Sequence, residues 1–248
     1  MPDPAINFGE AAKRYDSFRP DYPPEVFDFL LAHAASGRAH AVDLGAGTGQ
    51  ATRALAGLFD RVTALEPDER LAQGARLPGN AEMIVQAAEA ADFAHGCIDA
   101  VISATAFHWM DQPLICRKAA GWLKPGGVFF PFAFDVFEVG GAASGFYAAE
   151  FRKWTAYRDR RLLDCYDYQR ALEESGAFAT VAPFAHKFRH EVASCDAMGL
   201  IATFSYARDY ARAEGGEDYF KKIGEALASF GETICFTVPV TGALGVKI

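Results

Sequence analysis

The chain has 248 residues, of which 51% are hydrophobic, and it carries a formal net charge of −8 at pH 7. A chain of this length and composition can bury a large core without disulfide or metal staples. The negative charge has the wrong sign for following a phosphate backbone, so nucleic acids are not expected partners.

Cysteine usage and the absence of targeting patterns predict a cytoplasmic location. The five cysteines are odd in number and form no Cys-x-x-Cys pair, as is typical of reduced thiols. No secretory signal pattern opens the sequence, and the most apolar stretch, 128–139, contains Asp135 and Glu138. We expect a soluble protein that does not bind membranes. His186 and His190 have the spacing of a helical metal pair, but the segment 180–188 is predicted as a strand. Residues four apart in a strand lie about 13 Å from each other, so no metal site is predicted.

The first half of the chain alternates between strands and helices. Two amphipathic helices, over 7–17 and 24–35, are separated by a segment whose prolines end the first of them. Strands are predicted near 40–44, 61–65, 81–86, 98–103 and 127–134, and helices near 49–58, 68–76 and 111–122. This order predicts an α/β fold with a doubly wound parallel sheet.

The second half of the chain is mostly helical. Its predicted elements are helices over 146–165, 167–175, 194–204 and 216–230, a strand near 178–188, and a β-rich end over 233–240 and 245–248 that suits an antiparallel last strand. The first of these helices is basic. Arg152, Lys153, Arg158, Arg160 and Arg161 indicate either recognition of an acidic substrate or a solvated helix face.

The sequence Val-Asp-Leu-Gly-Ala-Gly-Thr-Gly-Gln at 42–50 is an apolar strand that enters a glycine-rich turn. Gly45, Gly47 and Gly49 allow the backbone to approach a nucleotide-like ligand closely. A triphosphate loop needs a Lys-Ser or Lys-Thr pair after the last glycine, which is absent here. The dinucleotide fingerprint needs a small residue where Gln50 stands, which argues against a dinucleotide without excluding it.

A second apolar run ends in Glu66, about 20 residues after the first glycine, as expected for one strand–helix–strand crossover. A carboxylate at the end of that strand can accept hydrogen bonds from both hydroxyls of a ribose. The alternative is a solvated acid at a helix start, since 67–69 continues as Pro-Asp-Glu.

Four segments together resemble the class I S-adenosylmethionine-dependent methyltransferases, and among them the small-molecule enzymes related to trans-aconitate methyltransferase. They are Tyr-Asp-Ser-Phe-Arg-Pro-Asp-Tyr-Pro at 15–23, the glycine loop at 42–50, Asp-Ala-Val-Ile-Ser-Ala-Thr-Ala-Phe-His-Trp-Met-Asp at 99–111, and Leu-Lys-Pro-Gly-Gly at 123–127. The resemblance implies a Rossmann-like sheet of seven strands with an antiparallel last strand and a helical cap. It also implies S-adenosylmethionine as the cofactor.

The resemblance assigns cofactor contacts to individual residues. The contacts implied are with Tyr15, Arg19, Asp43, Gly45, Ala46, Gly47, Glu66, Pro67, Ala88, Glu89, Ser103 and Ala104. Within this set, Tyr15 and Arg19 would close over the cofactor's carboxylate, although an arginine here could also cap a neighbouring helix. Glu89 would meet the adenine, or could be a helix N-terminal acid.

His108 follows the fourth strand, close to where the transferable methyl group is expected. Three roles fit this histidine: a general base, a hydrogen-bond donor that orients the substrate, or a packing residue. The function that the resemblance implies is methyl transfer, by in-line displacement, to a carboxylate, hydroxyl or amine of a small molecule. Two alternatives remain: a regulatory module that binds the cofactor without turnover, and a nicotinamide-dependent oxidoreductase.

Four regions are predicted along the chain. Residues 1–36 form N-terminal helices that close over the cofactor, and 37–136 form the cofactor-binding core. Residues 137–232 form a helical cap and substrate region with a core helix and strand near 167–188, and 233–248 return to the sheet. The sequence does not predict the oligomeric state.

Overall fold

The computed structural model describes residues 18–159 and 167–248. The predicted helix over 7–17, Tyr15, Arg160 and Arg161 lie outside the described residues. Contacts divide the chain into two compact units. Of the described residues, the helical unit comprises 18–20, 135–159 and 187–239, and the sheet unit comprises 21–134, 167–186 and 240–248. The domain boundaries predicted from the sequence stay a prediction.

The described residues contain eight strands and nine α-helices. The strands are β1 His40–Leu44, β2 Arg61–Glu66, β3 Ala81–Val85, β4 Ile98–Ala104, β5 Leu123–Phe134, β6 Glu138–Val139, β7 Thr180–Ala193 and β8 Thr233–Val246. The helices are α1 Pro24–His33, α2 Gln50–Ala56, α3 Glu69–Gly74, α4 Gln112–Trp122, α5 Ser144–Thr155, α6 Tyr168–Ser175, α7 Ser194–Ile201, α8 Ser205–Tyr210 and α9 Tyr219–Ala228.

The strand order is β3-β2-β1-β4-β5-β8-β6, and β7 pairs with β8 outside this path. Strands β1 to β5 pair in parallel, whereas β8 runs antiparallel to β5. The predicted doubly wound sheet with an antiparallel last strand is therefore confirmed. Among the described residues the sheet has eight strands, whereas seven were predicted. One strand that the sequence did not predict is β6, whose two residues are too few to produce a periodic pattern.

The core lies around the two central strands. Every residue of β4 except Ala104 is buried, and so is the run Val128–Phe134 in β5. Such continuous apolar runs are expected where a parallel strand is covered on both faces. Helix α4 packs against the same strands through side chains that include Ile115, Ala119 and Trp122.

Strand β5 begins at Leu123, before the predicted strand at 127–134. Between Leu123 and Val128 its pairing with β4 shifts from Ile98↔Leu123 to Ala100↔Val128, and Gly126 has a left-handed φ of 74°. The predicted break between 240 and 245 is wrong, because β8 is continuous. Gly242 approaches β5 so closely that an added Cβ would lie 2.6 Å from the Pro131 carbonyl oxygen. This glycine serves close packing and not a turn.

No helix in the described ranges is long and apolar enough to cross a membrane. The cysteines at 97, 116, 195 and 235 carry free thiols.

Candidate active site

The parallel register brings the predicted cofactor residues of the sheet unit to one edge. Leu44 of β1 pairs with Leu65 of β2, and Glu66 pairs with Val85 of β3. On the other side of β1, Asp43 pairs with Ile102 of β4. The loops that follow these strands therefore leave the sheet at their common carboxyl edge, which is where open α/β sheets bind ligands.

The three glycines of the loop after β1 all have left-handed backbones, with φ of 71°, 58° and 86° at Gly45, Gly47 and Gly49. A Cβ on Gly45 would lie 2.5 Å from the Cβ of Ala106, so that position needs glycine for packing as well. At Gly47, by contrast, an added Cβ would have no atom within 4 Å. The space beside Gly47 is where a ligand can approach the backbone.

Four backbone N–H groups of the loop already donate to oxygen atoms of the protein. The Gly45 and Ala46 N–H groups both donate to the Leu65 carbonyl oxygen, at 2.8 and 2.9 Å. Gly49 N–H donates to the Ala46 carbonyl oxygen at 2.9 Å, and Gly47 N–H donates to Glu66. A phosphate-binding loop presents such donors to its ligand. Four donors of this loop are already satisfied, so the loop is poorly suited to a pyrophosphate.

Glu66 is fixed at the end of β2 by two backbone donors. Its Oε2 accepts from the Gly47 N–H at 2.8 Å, and its Oε1 accepts from the Asp68 N–H at 2.9 Å. The residue is only 6% exposed, and burial raises the pKa of Glu66 while these hydrogen bonds oppose that rise. Each carboxylate oxygen keeps a second lone pair, which can accept from a ligand hydroxyl.

Asp43 is buried inside the sheet unit. Its Oδ2 accepts from the Thr52 hydroxyl at 2.6 Å, whereas its Oδ1 has no hydrogen-bond partner among the described residues. Burial raises the pKa of Asp43 to about 7. The side chain ties β1 to the first turn of α2, and a direct contact of Asp43 with the cofactor stays a prediction.

The end of β4 is held by side-chain hydrogen bonds. The buried Ser103 hydroxyl donates to the Leu44 carbonyl oxygen at 3.0 Å, which ties the ends of β4 and β1 together. Ala104 is half-buried at the last position of the strand. Thr105 follows with a φ of 55°, a conformation that a β-branched residue rarely adopts and that often occurs at functional sites.

Tyr22 supports this strained residue. Its hydroxyl lies 2.6 Å from the Thr105 Oγ1, and its ring stacks on Phe134 with centroids 4.4 Å apart. The Tyr22 ring also meets the Phe132 ring edge-on at 5.0 Å. This contact could not be predicted from the sequence, because neither residue type nor spacing indicates a positive φ at Thr105.

The residues predicted to surround the adenine lie after β2 and β3. Pro67 is exposed, Ala88 is buried, and Glu89 is half-buried in a short 3₁₀ turn over 88–90. Glu89 Oε1 accepts from the Asp111 N–H at 3.0 Å. Glu89 thus fixes Asp111, the residue that caps the N-terminus of α4, and its contact with adenine stays a prediction.

His108 lies in a 3₁₀ turn over Phe107–Trp109 and is 3% exposed. Its Nδ1 is 3.1 Å from the Tyr168 hydroxyl at the start of α6. Trp109, next to it, is 41% exposed. The burial and the tyrosine bond favour an orienting or packing role among the three roles that the sequence left open, and a catalytic role for His108 stays a prediction.

Arg19 belongs to the helical unit, and its described contacts lie there. Its Nε donates to the Thr203 Oγ1 at 2.8 Å, and its guanidinium carbon is 5.2 Å and 4.9 Å from the ring centroids of Phe137 and Phe204. The predicted contact between Arg19 and the cofactor's carboxylate stays a prediction.

Residues 42–130, which contain most of these features, match the family described as Methyltransferase domain. This part of the chain is similar to methyltransferase domains. A provisionally named methyltransferase of Dictyostelium discoideum is 32% identical to the chain over 132 residues, which are 53% of this chain and 50% of that protein. An uncharacterized methyltransferase of Mycobacterium tuberculosis (strain H37Rv) is 36% identical over 127 residues, 50% of this chain and 51% of the relative.

The chain spans about half the length of the curated relatives that it matches. A solved structure of a provisionally named type II methyltransferase from Anaeromyxobacter dehalogenans has the same fold. It is 24% identical, with a TM-score of 0.73 over 92% of this chain and 98% of the other. A phosphoethanolamine N-methyltransferase of Haemonchus contortus, solved with S-adenosylhomocysteine, is 13% identical with a TM-score of 0.56 over 98% of this chain and 58% of that protein.

Proposed function

We propose that the chain transfers a methyl group from S-adenosylmethionine to a small molecule. The observation that carries this proposal is the pairing of Glu66 with the glycine loop. A buried carboxylate at the end of β2 lies beside the open space at Gly47, and four N–H groups of the loop already donate to protein oxygens. That combination suits a ligand with a ribose and no phosphate, which describes S-adenosylmethionine.

The described residues fit this cofactor. Glu66 has acceptor capacity left for the two ribose hydroxyls, and Gly47 offers room for close approach of the ligand to the backbone. Pro67 and Ala88 follow the two strands that would flank the adenine. When bound, the cofactor supplies a methyl group on a sulfonium, and the neutral thioether that remains after transfer is a good leaving group.

The task of the protein is then alignment and exclusion of water. In-line displacement needs the acceptor atom opposite the sulfur, at close distance and in a fixed direction. The hydrogen bonds of Ser103 and the Tyr22–Thr105 pair fix the end of β4. His108, held by Tyr168, shapes this edge or orients a polar group of the acceptor. A carboxylate acceptor needs no general base, because it is already deprotonated at neutral pH.

The acceptor is proposed to be a small molecule and not a nucleic acid, because the chain has a net charge of −8. A cytoplasmic location is part of the same proposal and is supported by the free thiols. The narrower likeness to trans-aconitate methyltransferase remains a prediction from the four sequence segments.

Turnover of S-adenosylmethionine tests the proposal. The purified chain is incubated with S-adenosylmethionine and a panel of acids, phenols and amines, and formation of S-adenosylhomocysteine is followed by mass spectrometry. Acceptor-dependent product above the acceptor-free rate supports the enzyme. Cofactor binding without turnover across the panel would favour the regulatory module that the sequence left open.

A further inference from the structure

The hydroxyl of Tyr168 is held in place by the core of the sheet unit. Tyr168 is the first residue of α6 and is only 1% exposed. Asp167 caps this helix, because its side chain accepts a hydrogen bond from the Arg170 N–H at 3.0 Å. The Tyr168 ring meets the ring of Phe107 edge-on, with centroids 5.4 Å apart, inside the same core cluster. A tyrosine that is fixed at both its backbone and its ring presents its hydroxyl in one position.

That hydroxyl meets the ring of His108. The Tyr168 oxygen is 3.1 Å from His108 Nδ1, and the histidine is 3% exposed. His108 is also fixed from its own side, because it follows Phe107, which is fully buried and packs on the Tyr168 ring. The two bonded residues are 60 positions apart in sequence, and a hydrogen bond between buried groups is stronger than one in water.

The chemistry of the two groups decides which of them donates this hydrogen bond. A phenol is a good donor and a weak acceptor, because the lone pair of its oxygen is delocalised into the ring, whereas an unprotonated imidazole nitrogen is a strong acceptor. The favoured arrangement therefore has the Tyr168 hydroxyl donating to His108 Nδ1. Since a neutral imidazole carries a single ring proton, the proton of His108 then lies on Nε2.

His33, at the end of α1, is the opposite case in the same unit. Its Nδ1 is 2.8 Å from the Phe29 carbonyl oxygen, which has no proton to give. His33 Nδ1 therefore carries the proton, and in the neutral ring its Nε2 is left as the acceptor. The chain thus contains an internal reference for the tautomer that His108 does not adopt.

We propose that Tyr168 positions His108 for methyl transfer by holding its neutral ring in the tautomer with the proton on Nε2. This inference rests on the proposed function. A ring in this tautomer can donate a hydrogen bond to a lone pair of the methyl acceptor, but its Nε2 has no lone pair with which to remove a proton. His108 therefore orients the acceptor and is not its base, and Tyr168 acts through His108 without touching the substrate.

Nuclear magnetic resonance of the histidine rings tests the tautomer. The chain is labelled with ¹⁵N-histidine, and correlations between ring nitrogens and protons are recorded at about pH 8.5, where an ordinary histidine is neutral. The signals of His108 are those that disappear in His108→Asn. Tyr168→Phe removes the hydroxyl that bonds Nδ1. Tyr219→Phe is the matched control, because its buried hydroxyl bonds Glu150 and Trp154 in the helical unit.

In the unmodified chain, the proton of His108 is expected on Nε2 and that of His33 on Nδ1. Tyr168→Phe should shift the Nδ1 resonance of His108 downfield and raise the population of the form with the proton on Nδ1. Tyr219→Phe should leave the His108 signals unchanged. With an acceptor that turns over, kcat/KM should fall about three- to tenfold in Tyr168→Phe, as expected for one neutral hydrogen bond, while the affinity for S-adenosylhomocysteine stays unchanged.

A proton on His108 Nδ1 in the unmodified chain would overturn the positioning role. So would His108 signals, or a kcat/KM, that Tyr168→Phe leaves unchanged. Urea unfolding reports whether each variant is folded, and the spectrum of the unmodified chain decides the tautomer without any variant of Tyr168. That spectrum needs neither cofactor nor turnover. Failure of S-adenosylhomocysteine to bind would therefore overturn the proposed function, whereas the tautomer would still be decided by the spectrum.

Discussion

Glu66 Oε2 accepts a hydrogen bond from the Gly47 N–H at 2.8 Å, and this bond ties the end of β2 to the loop after β1. The two residues are 19 positions apart in sequence and adjacent in the fold. One carboxylate thus fixes the loop and faces the space into which a ribose would fit.

Glu66→Gln should weaken binding of S-adenosylhomocysteine by about 10- to 100-fold, since a hydrogen bond to a charged group contributes roughly 1.5–3 kcal/mol. Titration calorimetry measures the change. Glu69→Gln is the matched control, because Glu69 is exposed on α3 and bonds Gln73. Equal loss in both variants would mean that the carboxylate at 66 has no particular role in binding.

Gly47→Ala should reduce cofactor affinity more than it reduces stability. The left-handed backbone costs an alanine about 1–2 kcal/mol, but the new methyl group meets no protein atom. Gly45→Ala adds a collision with the Ala106 methyl group and should destabilise the fold further. Urea unfolding of both variants, beside calorimetry of Gly47→Ala, checks this order. A Gly47→Ala protein that binds normally would contradict the assigned place of the ligand.

Asp43 should make the stability of the ligand-free protein depend on pH. Its folded pKa, about 7, is above the ordinary value of 3.8, so the folded state binds more protons between these values. The contribution of Asp43 is therefore most favourable below about pH 4 and is lost as pH rises through 7. Chemical unfolding from pH 5 to 8 should show a decline of a few kcal/mol that is smaller in Asp43→Asn. Parallel curves for the two proteins would contradict this assignment.

His108→Asn should retain turnover within about tenfold of the parent, because the buried ring is bonded to Tyr168 and its role is to orient or pack. The pH dependence of the rate with a hydroxyl or amine acceptor that turns over measures the effect, because a carboxylate acceptor needs no general base. A loss above a hundredfold, together with loss of the limb of the profile that titrates near neutral pH, would establish a general base instead.

The sequence predicted the elements of the sheet unit well, because strand, glycine turn and helix signals coincide there. The strand at His40–Leu44 was predicted with its observed bounds, and Glu66 was placed at the end of the next strand. The errors have physical causes. A glycine that is required for close packing, such as Gly242, cannot be distinguished in the sequence from a glycine that makes a turn.

The sequence could not predict which polar residues turn inward. The five basic residues from 152 to 161 form one pattern, yet the structure distinguishes Arg158, whose Nε is buried, from the exposed Arg152. The strained Thr105 and its bond to Tyr22 also depend on tertiary packing across 83 positions of sequence. Such contacts leave no local period in the chain.

Direct titration of the unmodified chain with S-adenosylhomocysteine, beside a titration with NAD, measures whether the loop after β1 binds an S-adenosyl ligand. We expect saturable binding of S-adenosylhomocysteine and none of NAD, since four N–H groups of the loop that should meet a pyrophosphate already donate to protein oxygens. Binding of NAD, or of neither ligand, would mean that this edge of the sheet is not a site for S-adenosylmethionine.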